Sequence, residues 1–172
     1  MARNFPSTRV AGLDLNDKAL KLAELNASLA GVHVDFACSD LYSSLPDLLD
    51  GTDVEVIISN PPYIASSTSI SGSVPIYSDG GASLGLDVSI RIVKEGSQFL
   101  ARGGILLLYT GVTILAKSPG QDPFLEWVKS RKEYELLDYR IYHPDMWPEE
   151  IGKGVYADAA RIQVVGIVLQ KQ

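Results

Sequence analysis

The five residues Ser59-Asn60-Pro61-Pro62-Tyr63 combine groups that suit recognition of a flat, polar nitrogen. Asn60 supplies a side-chain oxygen acceptor, and neither proline has an N–H, so the carbonyls of Pro61 and Pro62 remain as acceptors. The prolines also stiffen the backbone, and Tyr63 adds an aromatic face with a polar tip. Two acceptors beside a flat surface suit a planar NH2 group, either a carboxamide or the exocyclic amine of a base.

The same run of residues could assist a reaction at that nitrogen. An amide nitrogen is a poor nucleophile because its lone pair is delocalised, and two acceptors that favour pyramidalisation would act mainly in the transition state. A plain turn is the alternative interpretation, since Asn and Pro are common turn formers. The position favours chemistry, because the run follows an apolar strand predicted over 54–59. In open α/β sheets, ligands bind at the carboxyl ends of the strands.

Short apolar runs alternate with helical patterns along the chain, which predicts an open α/β sheet with helices on both faces. Strands are predicted at 9–15, 32–37, 54–59, 105–109, 134–142 and 160–169, and helices at 17–30, 86–100 and 123–132. The strand at 54–59 is apolar enough to be central and parallel. No helical pattern separates the last two strands, which predicts an antiparallel pair at the C-terminal edge. The stretch 60–85 is rich in Ser, Gly and Pro and is predicted to be a long functional loop.

The composition is typical of one packed domain. The 172 residues are 46% hydrophobic, and 15 basic against 21 acidic side chains give a net charge of -6. An acidic chain is a poor match for long nucleic acid held through its phosphates, although a small or flipped base remains open. The lone Cys38 excludes an internal disulfide and fits a reducing compartment. With no apolar stretch of ~18 residues and no secretory signal, a cytoplasmic location without membrane association is expected.

Several segments together resemble the Asn-Pro-Pro-Tyr, Rossmann-like S-adenosylmethionine-dependent methyltransferases, and among them the release-factor glutamine N5-methyltransferases most closely. The resemblance is carried by residues 10–16, 19–20, 23–26, 39–42, 60–64, 84–87, 90–91 and 103–107. It implies a Rossmann-like α/β fold, S-adenosylmethionine as the cofactor, and methyl transfer to a planar nitrogen.

The resemblance also implies roles for individual residues. The acceptor group would be bound by Asn60, Pro61, Pro62 and Tyr63, and the cofactor by Asp14, Leu15, Asp40, Leu41 and Asn60. Asp14 would accept hydrogen bonds from the ribose hydroxyls, and Asp40 would face the adenine amino group. Alternatively, Asp14 could cap the following helix and Asp40 could be an exposed turn residue. No histidine or cysteine has metal-ligand spacing, so no metal is expected.

The glycine-rich cofactor loop of such enzymes lies ~20 residues before the ribose-binding acid. Counting back from Asp14 passes Met1, so we expect a single catalytic domain over 1–172 that is truncated at its N-terminus and lacks the first βα unit. A partner chain could complete the fold. The favoured substrate is a protein glutamine, for example in a translation release factor. The alternatives are adenine N6 in RNA or DNA, and a non-catalytic remnant or regulatory subunit of this fold.

Overall fold

The computed structural model describes residues 1–65, 78–82 and 84–172, which divide into two compact units, Met1–Asp53 and Val54–Gln172. The strands are β1 (Ala11–Asp14), β2 (Asp35–Cys38), β3 (Val54–Ser59), β4 (Ile64–Ala65), β5 (Asp79–Gly81), β6 (Leu100–Leu115), β7 (Tyr134–His143) and β8 (Ala159–Lys171). The helices are α1 (Asp17–Leu29), α2 (Leu45–Leu48), α3 (Asp87–Gly96) and α4 (Pro123–Lys129), with 3₁₀ turns at Pro148–Glu150 and Gly154–Tyr156. The predicted α/β class is confirmed.

Part of the loop predicted over 60–85 lies outside the described residues, namely 66–77 and 83. The described part contains β4 and β5, which pair in parallel. None of the helices in the described ranges is long and apolar enough to cross a membrane.

The first unit is built on a parallel pair of strands joined by α1. β1 and β2 are in register from Ala11 opposite Asp35 to Asp14 opposite Cys38. Asn16 caps α1 by accepting a hydrogen bond from the Lys18 N–H, as expected of an Asn at this position. The predicted strand and helix are therefore both present, with ends shifted by a few residues.

The buried face of α1 differs from the face that its apolar pattern predicts, which is the face of Ala19, Leu22, Ala23, Leu25 and Leu29. Leu20 is buried at 6% exposure, whereas Leu22, Leu25 and Leu29 are exposed. The pattern predicts that apolar residues share a face, but it does not reveal which face the strands cover. In this unit β1 and β2 leave the leucine stripe uncovered.

The second unit contains a four-stranded sheet in the order β3-β6-β8-β7. β3 is parallel to β6, while β8 is antiparallel to both β6 and β7, which confirms the predicted antiparallel pair. Among the described strands, β3 has only β6 beside it, so it lies at the edge of this sheet and not at its centre as predicted. Ile58 on β3 is accordingly 59% exposed. The central position of β3 was predicted from its apolar composition. Apolar composition indicates that side chains are in contact with other side chains, but it does not indicate how many strands are hydrogen-bonded to this one.

The alternation of side chains along β6 separates the core from the opposite face. Leu106, Leu108, Thr110 and Val112 are all buried, and the Thr110 hydroxyl lies 2.7 Å from the Ser89 hydroxyl of α3. The residues between them face the other way: Gly111 contacts the ring of Tyr63. One face of β6 thus packs against a helix, and the other supports the residues that follow β3.

Candidate functional site

Asp14 is the last residue of β1, and only one of its two carboxylate oxygens accepts a hydrogen bond from the described residues. Its Oδ1 accepts a hydrogen bond from the Asn16 N–H at 2.7 Å, and Asn16, not Asp14, caps α1. The other oxygen, Oδ2, has no hydrogen-bond partner within 1–65, 78–82 and 84–172, and the residue is exposed. Asp14 therefore carries a carboxylate oxygen that is unpaired among the described residues at the carboxyl end of a strand, and Asn16, not Asp14, is the cap of α1.

The turn after β2 brings Asp40 to the same edge as Asp14. The Ser39 N–H donates to the carbonyl oxygen of Asp14 at 3.0 Å. The buried Ser39 hydroxyl donates to the Leu41 carbonyl at 2.8 Å and accepts from the Ser44 N–H at 3.0 Å. Leu41 has a left-handed φ of +50° within this turn. The arrangement leaves Asp40 exposed at the end of β2.

The Ser39 contacts were missed by the sequence analysis, although a serine that begins a short polar turn is a recognisable signal for such hydrogen bonds. Leu15, the remaining residue of the predicted cofactor set in this unit, is 60% exposed directly after β1. The structure thus brings Asp14 and Asp40 to one edge and leaves Leu15 open to solvent.

Asn60 follows the last residue of β3 with its side chain open to ligands. The residue is exposed, and none of the described residues hydrogen-bonds its amide group. Pro61 is buried, and Pro62 and Tyr63 are partly buried, so the backbone that follows is held by its surroundings. An unpaired amide on a fixed backbone is suited to accepting a hydrogen bond from a ligand.

Three glycines, Gly80, Gly85 and Gly111, lie directly against Tyr63, and we call them the glycine seat of Tyr63. A Cβ on Gly111 of β6 would stand 2.5 Å from Cδ2 of the Tyr63 ring, and one on Gly80 of β5 would stand 2.6 Å from its Cα. A Cβ on Gly85 would collide with the Tyr63 carbonyl, and Gly85 has a φ of +84°, which also disfavours a side chain. These glycines were missed by the sequence analysis. The available signal was Gly111 inside an apolar strand, which is typical of a close approach.

Two aromatic side chains flank the Tyr63 ring. Tyr109 lies 6.4 Å away in an edge-on arrangement at 70°, and Trp147 lies 6.2 Å away with its plane inclined by 26°. Burial raises the pKa of the Tyr63 phenol, and Tyr109 raises it further. Tyr63 therefore stays neutral through the physiological pH range and offers an uncharged surface beside Asn60.

The backbone after Tyr63 is held by hydrogen bonds to residues that are far from it in the sequence. The Ile64 N–H donates to the Ser78 carbonyl at 3.0 Å, and the Ala65 N–H donates to the Tyr156 hydroxyl at 2.8 Å. Both Ala65 and Tyr156 are buried, within a small apolar cluster that includes Ala159 and Ile162. Hydrogen bonds at the two residues after Tyr63, one to Ser78 and one to Tyr156, therefore fix the segment that carries Tyr63.

Replacing Tyr156 with Phe is expected to lower the free energy of unfolding by about 1–3 kcal/mol, because the buried Ala65 N–H loses its acceptor while the ring still packs. Urea unfolding followed by circular dichroism measures the change. Tyr142→Phe is the matched control, since the Tyr142 side chain is exposed. A Tyr156→Phe midpoint equal to that of the wild type would show that this hydrogen bond contributes nothing.

No group of three or more His, Cys, Asp or Glu residues in the described ranges could hold a metal ion. Of the two histidines, His33 lies 3.1 Å from the Asp35 carboxylate and His143 is exposed on β7.

Comparison with known proteins identifies relatives for most of the chain. A family model described as the methyltransferase small domain matches residues 1–118. A release factor glutamine methyltransferase of Koribacter versatilis is 28% identical over 120 residues, covering 66% of this chain and 42% of the relative. A 4-amino-L-phenylalanine/4-methylamino-L-phenylalanine methyltransferase of Streptomyces pristinaespiralis is 32% identical over 124 residues, covering 69% of this chain and 41% of the relative. The chain spans about two-fifths of the length of each.

Solved structures share the fold. TrmN from Thermus thermophilus superposes with a TM-score of 0.58 at 20% identity, covering 99% of this chain and 40% of that chain. At this level of identity the match shows a common fold and carries no information about the substrate. The predicted Rossmann-like methyltransferase fold is confirmed by this similarity.

Proposed function

Because the chain belongs to the methyltransferase small domain family, we propose that it uses S-adenosylmethionine to methylate a planar NH2 nitrogen, and that this nitrogen is the side-chain amide of a protein glutamine. The observation that carries the proposal is the Asn60 side chain, exposed at the carboxyl end of β3 and unpaired among the described residues. Pro61 and Pro62 have no N–H to which the Asn60 side-chain oxygen could bond locally, so this oxygen is available to a ligand. That availability favours a role in binding a ligand over a role in a catalytically inactive remnant.

The acceptor side of the reaction uses Asn60, Pro61 and Tyr63. The Asn60 side-chain oxygen and the Pro61 carbonyl each accept one hydrogen of the NH2 group, while Tyr63 packs against its plane. As the nitrogen becomes pyramidal, these two acceptors stabilise it more strongly than in the flat ground state, which lowers the barrier. The nitrogen gains the methyl group and loses one proton, which passes to solvent. The glycine seat and the Pro61-Pro62 backbone hold the acceptors in place, so little free energy is spent on ordering them.

The cofactor side uses Asp14 and Asp40 at the edge of the first unit. The unpaired Oδ2 of Asp14 fits the ribose hydroxyls, which are donors, and Asp40 with Leu41 and Leu15 fits the adenine amine and ring. S-adenosylmethionine supplies an electrophilic methyl group on a sulfonium. The protein residues contribute binding and orientation.

Replacing Asp14 with Ala is expected to weaken the binding of S-adenosylhomocysteine about tenfold or more, because hydrogen bonds to a charged group contribute about 1.5–3 kcal/mol. Isothermal titration calorimetry on the full chain measures the affinity. Asn16→Ala is the matched control: it removes the cap of α1 and is expected to keep the affinity within about twofold while costing stability of order 1 kcal/mol. An equal loss of affinity in both variants would assign Asp14 a purely local structural role.

The named acceptors of the relatives support a planar nitrogen. The Koribacter relative is named for glutamine in a release factor and the Streptomyces relative for 4-amino-L-phenylalanine. In both compounds the NH2 group is attached to a flat, conjugated carbon. Glutamine in a protein is favoured here because the release-factor name recurs among the relatives and because the net charge of -6 disfavours long nucleic acid.

The proposal is tested by incubating the full chain with S-adenosylmethionine and three acceptors in parallel: glutamine-centred peptides, free 4-amino-L-phenylalanine, and single-stranded adenine oligonucleotides. Mass spectrometry then locates any added methyl group. Methylation of the glutamine amide supports the proposal. Methylation of adenine N6 alone, or binding of the cofactor without transfer to any acceptor, would contradict it. The lone Cys38 is exposed and free, which suits the reducing cytoplasm as the place where the protein acts.

A further inference from the structure

A row of aromatic side chains extends from Tyr63 across the sheet of the second unit. Tyr63 lies 6.4 Å from Tyr109, and Tyr109 lies 6.0 Å from Tyr142, while Trp147 lies 6.2 Å from Tyr63 on another side. We call these four residues the aromatic wall. Only Tyr63 takes part in the proposed reaction, so the rest of the wall has no role yet.

Tyr142 is the outermost member of the wall and is both fixed and exposed. A Cβ on Gly166 of β8 would stand 2.5 Å from Cε2 of Tyr142, so the ring packs directly on the sheet backbone. Gly166 is paired with Tyr109 across β6 and β8, which places Tyr142 beside Tyr109. The Tyr142 side chain is nevertheless 61% exposed. A large aromatic group held in this way loses little conformational entropy when a ligand packs on it.

The chain segment that contains both Tyr142 and Trp147 is acidic. Residues 138–150 contain four carboxylates, those of Asp138, Asp145, Glu149 and Glu150, against the single cation Arg140. Arg140 lies 3.6 Å from Asp138, and the other three carboxylates make no ion pair with the described residues. Oδ1 of Asp145 is buried without a hydrogen-bond partner in the described chain. This charge repels a phosphate backbone and attracts peptide N–H groups and basic side chains.

We propose that Tyr142 and the carboxylates at 145–150 form a subsite for the residues that flank the methylated glutamine in a neutral or basic peptide. The inference rests on the proposed function and names the substrate class more closely. The ring centroids of Tyr63 and Tyr109 are 6.4 Å apart, and those of Tyr109 and Tyr142 are 6.0 Å apart. The distance from Tyr63 to Tyr142 is therefore no more than about four residues of extended chain cover at ~3.3 Å each. A flanking residue packs on Tyr142, and a basic side chain pairs with the carboxylates.

The experiment measures dissociation constants for fluorescently labelled, glutamine-centred nonapeptides in the presence of S-adenosylhomocysteine, by anisotropy on the full chain. Tyr142→Ala is expected to weaken binding about tenfold, and Tyr142→Phe, which keeps the ring, to bind within about twofold of the wild type. Leu137→Ala, at another exposed apolar position on β7, is the matched control and is expected to bind like the wild type.

The charge of the subsite is tested with peptides that carry lysine or glutamate two positions from the glutamine. The wild type is expected to bind the lysine peptide about tenfold more tightly, and a Glu149→Gln/Glu150→Gln variant is expected to lose most of that preference. Equal dissociation constants for the wild type and Tyr142→Ala would overturn the proposal, and so would a Tyr142→Ala variant that loses affinity for an adenine oligonucleotide but not for the peptide. Failure of the proposed function is distinguishable, because the peptide would then bind at Tyr142 without being methylated.

Discussion

Asn60→Ala is expected to lower the rate of methyl transfer by about 10²–10³-fold, the typical loss when one group that stabilises a transition state is removed. Asn60 is exposed and is not hydrogen-bonded to the described residues, so its replacement removes an acceptor without disturbing the fold. The affinity for S-adenosylhomocysteine is accordingly expected to stay within about threefold. Single-turnover transfer to a glutamine peptide measures the first quantity, and calorimetric titration measures the second.

The neighbouring Ser59→Ala variant is the control for this prediction. Ser59 is the last residue of β3, pairs with Leu108 and directly precedes Asn60, but it has no amide group. It is expected to transfer methyl groups within about threefold of the wild-type rate, because replacing the partly buried serine with alanine leaves the acceptor groups of Asn60 and Pro61 in place. If Asn60→Ala kept more than a tenth of the wild-type rate, the amide would have no direct part in the reaction.

The local features of this chain were predictable because each depends on a few neighbouring residues. Asn16 and Asp122 cap α1 and α4 as their types predict, since a side-chain oxygen that accepts a nearby N–H needs nothing from the rest of the fold. The position of Asn60 after a strand was likewise predictable, from the apolar run that ends at Ser59. These features concern residues only a few positions apart.

The contacts between distant segments were not predictable from the same patterns. The glycine seat of Tyr63 consists of glycines from β5, from β6 and from the residues before α3. The sequence near each glycine does not indicate which aromatic ring packs against it. The sixteen-residue length of β6 was also missed, because its second half is paired with β8, which comes much later in the chain. The buried face of α1 was mispredicted for the same reason, because the strands that pack against this helix, and not its own apolar pattern, determine which face is buried.

Gly111→Ala, which changes the glycine seat of Tyr63, is expected to have the second large effect on the rate of methyl transfer. The added Cβ would stand 2.5 Å from Cδ2 of Tyr63, closer than carbon atoms can pack, so the ring must turn or move. A displacement of about 1 Å near reacting groups can cost ~10²-fold in rate, and we expect a loss of this size in methyl transfer. The affinity for S-adenosylhomocysteine is expected to change little, since Asp14 and Asp40 are untouched. Gly120→Ala is the control, because nothing lies within 4 Å of a Cβ at that position.

A double-mutant cycle with Tyr63→Ala separates displacement of the ring from general damage to the sheet. If Gly111→Ala acts by moving the Tyr63 ring, then it should have almost no further effect once that ring is gone, and the double variant should transfer methyl groups as slowly as Tyr63→Ala alone. Losses that multiply would instead show that the alanine disturbs β6 independently of Tyr63. Urea unfolding of the same variants provides the second readout: the ring-displacement account expects Gly111→Ala to lose less stability in the Tyr63→Ala background, where the space above the glycine is open.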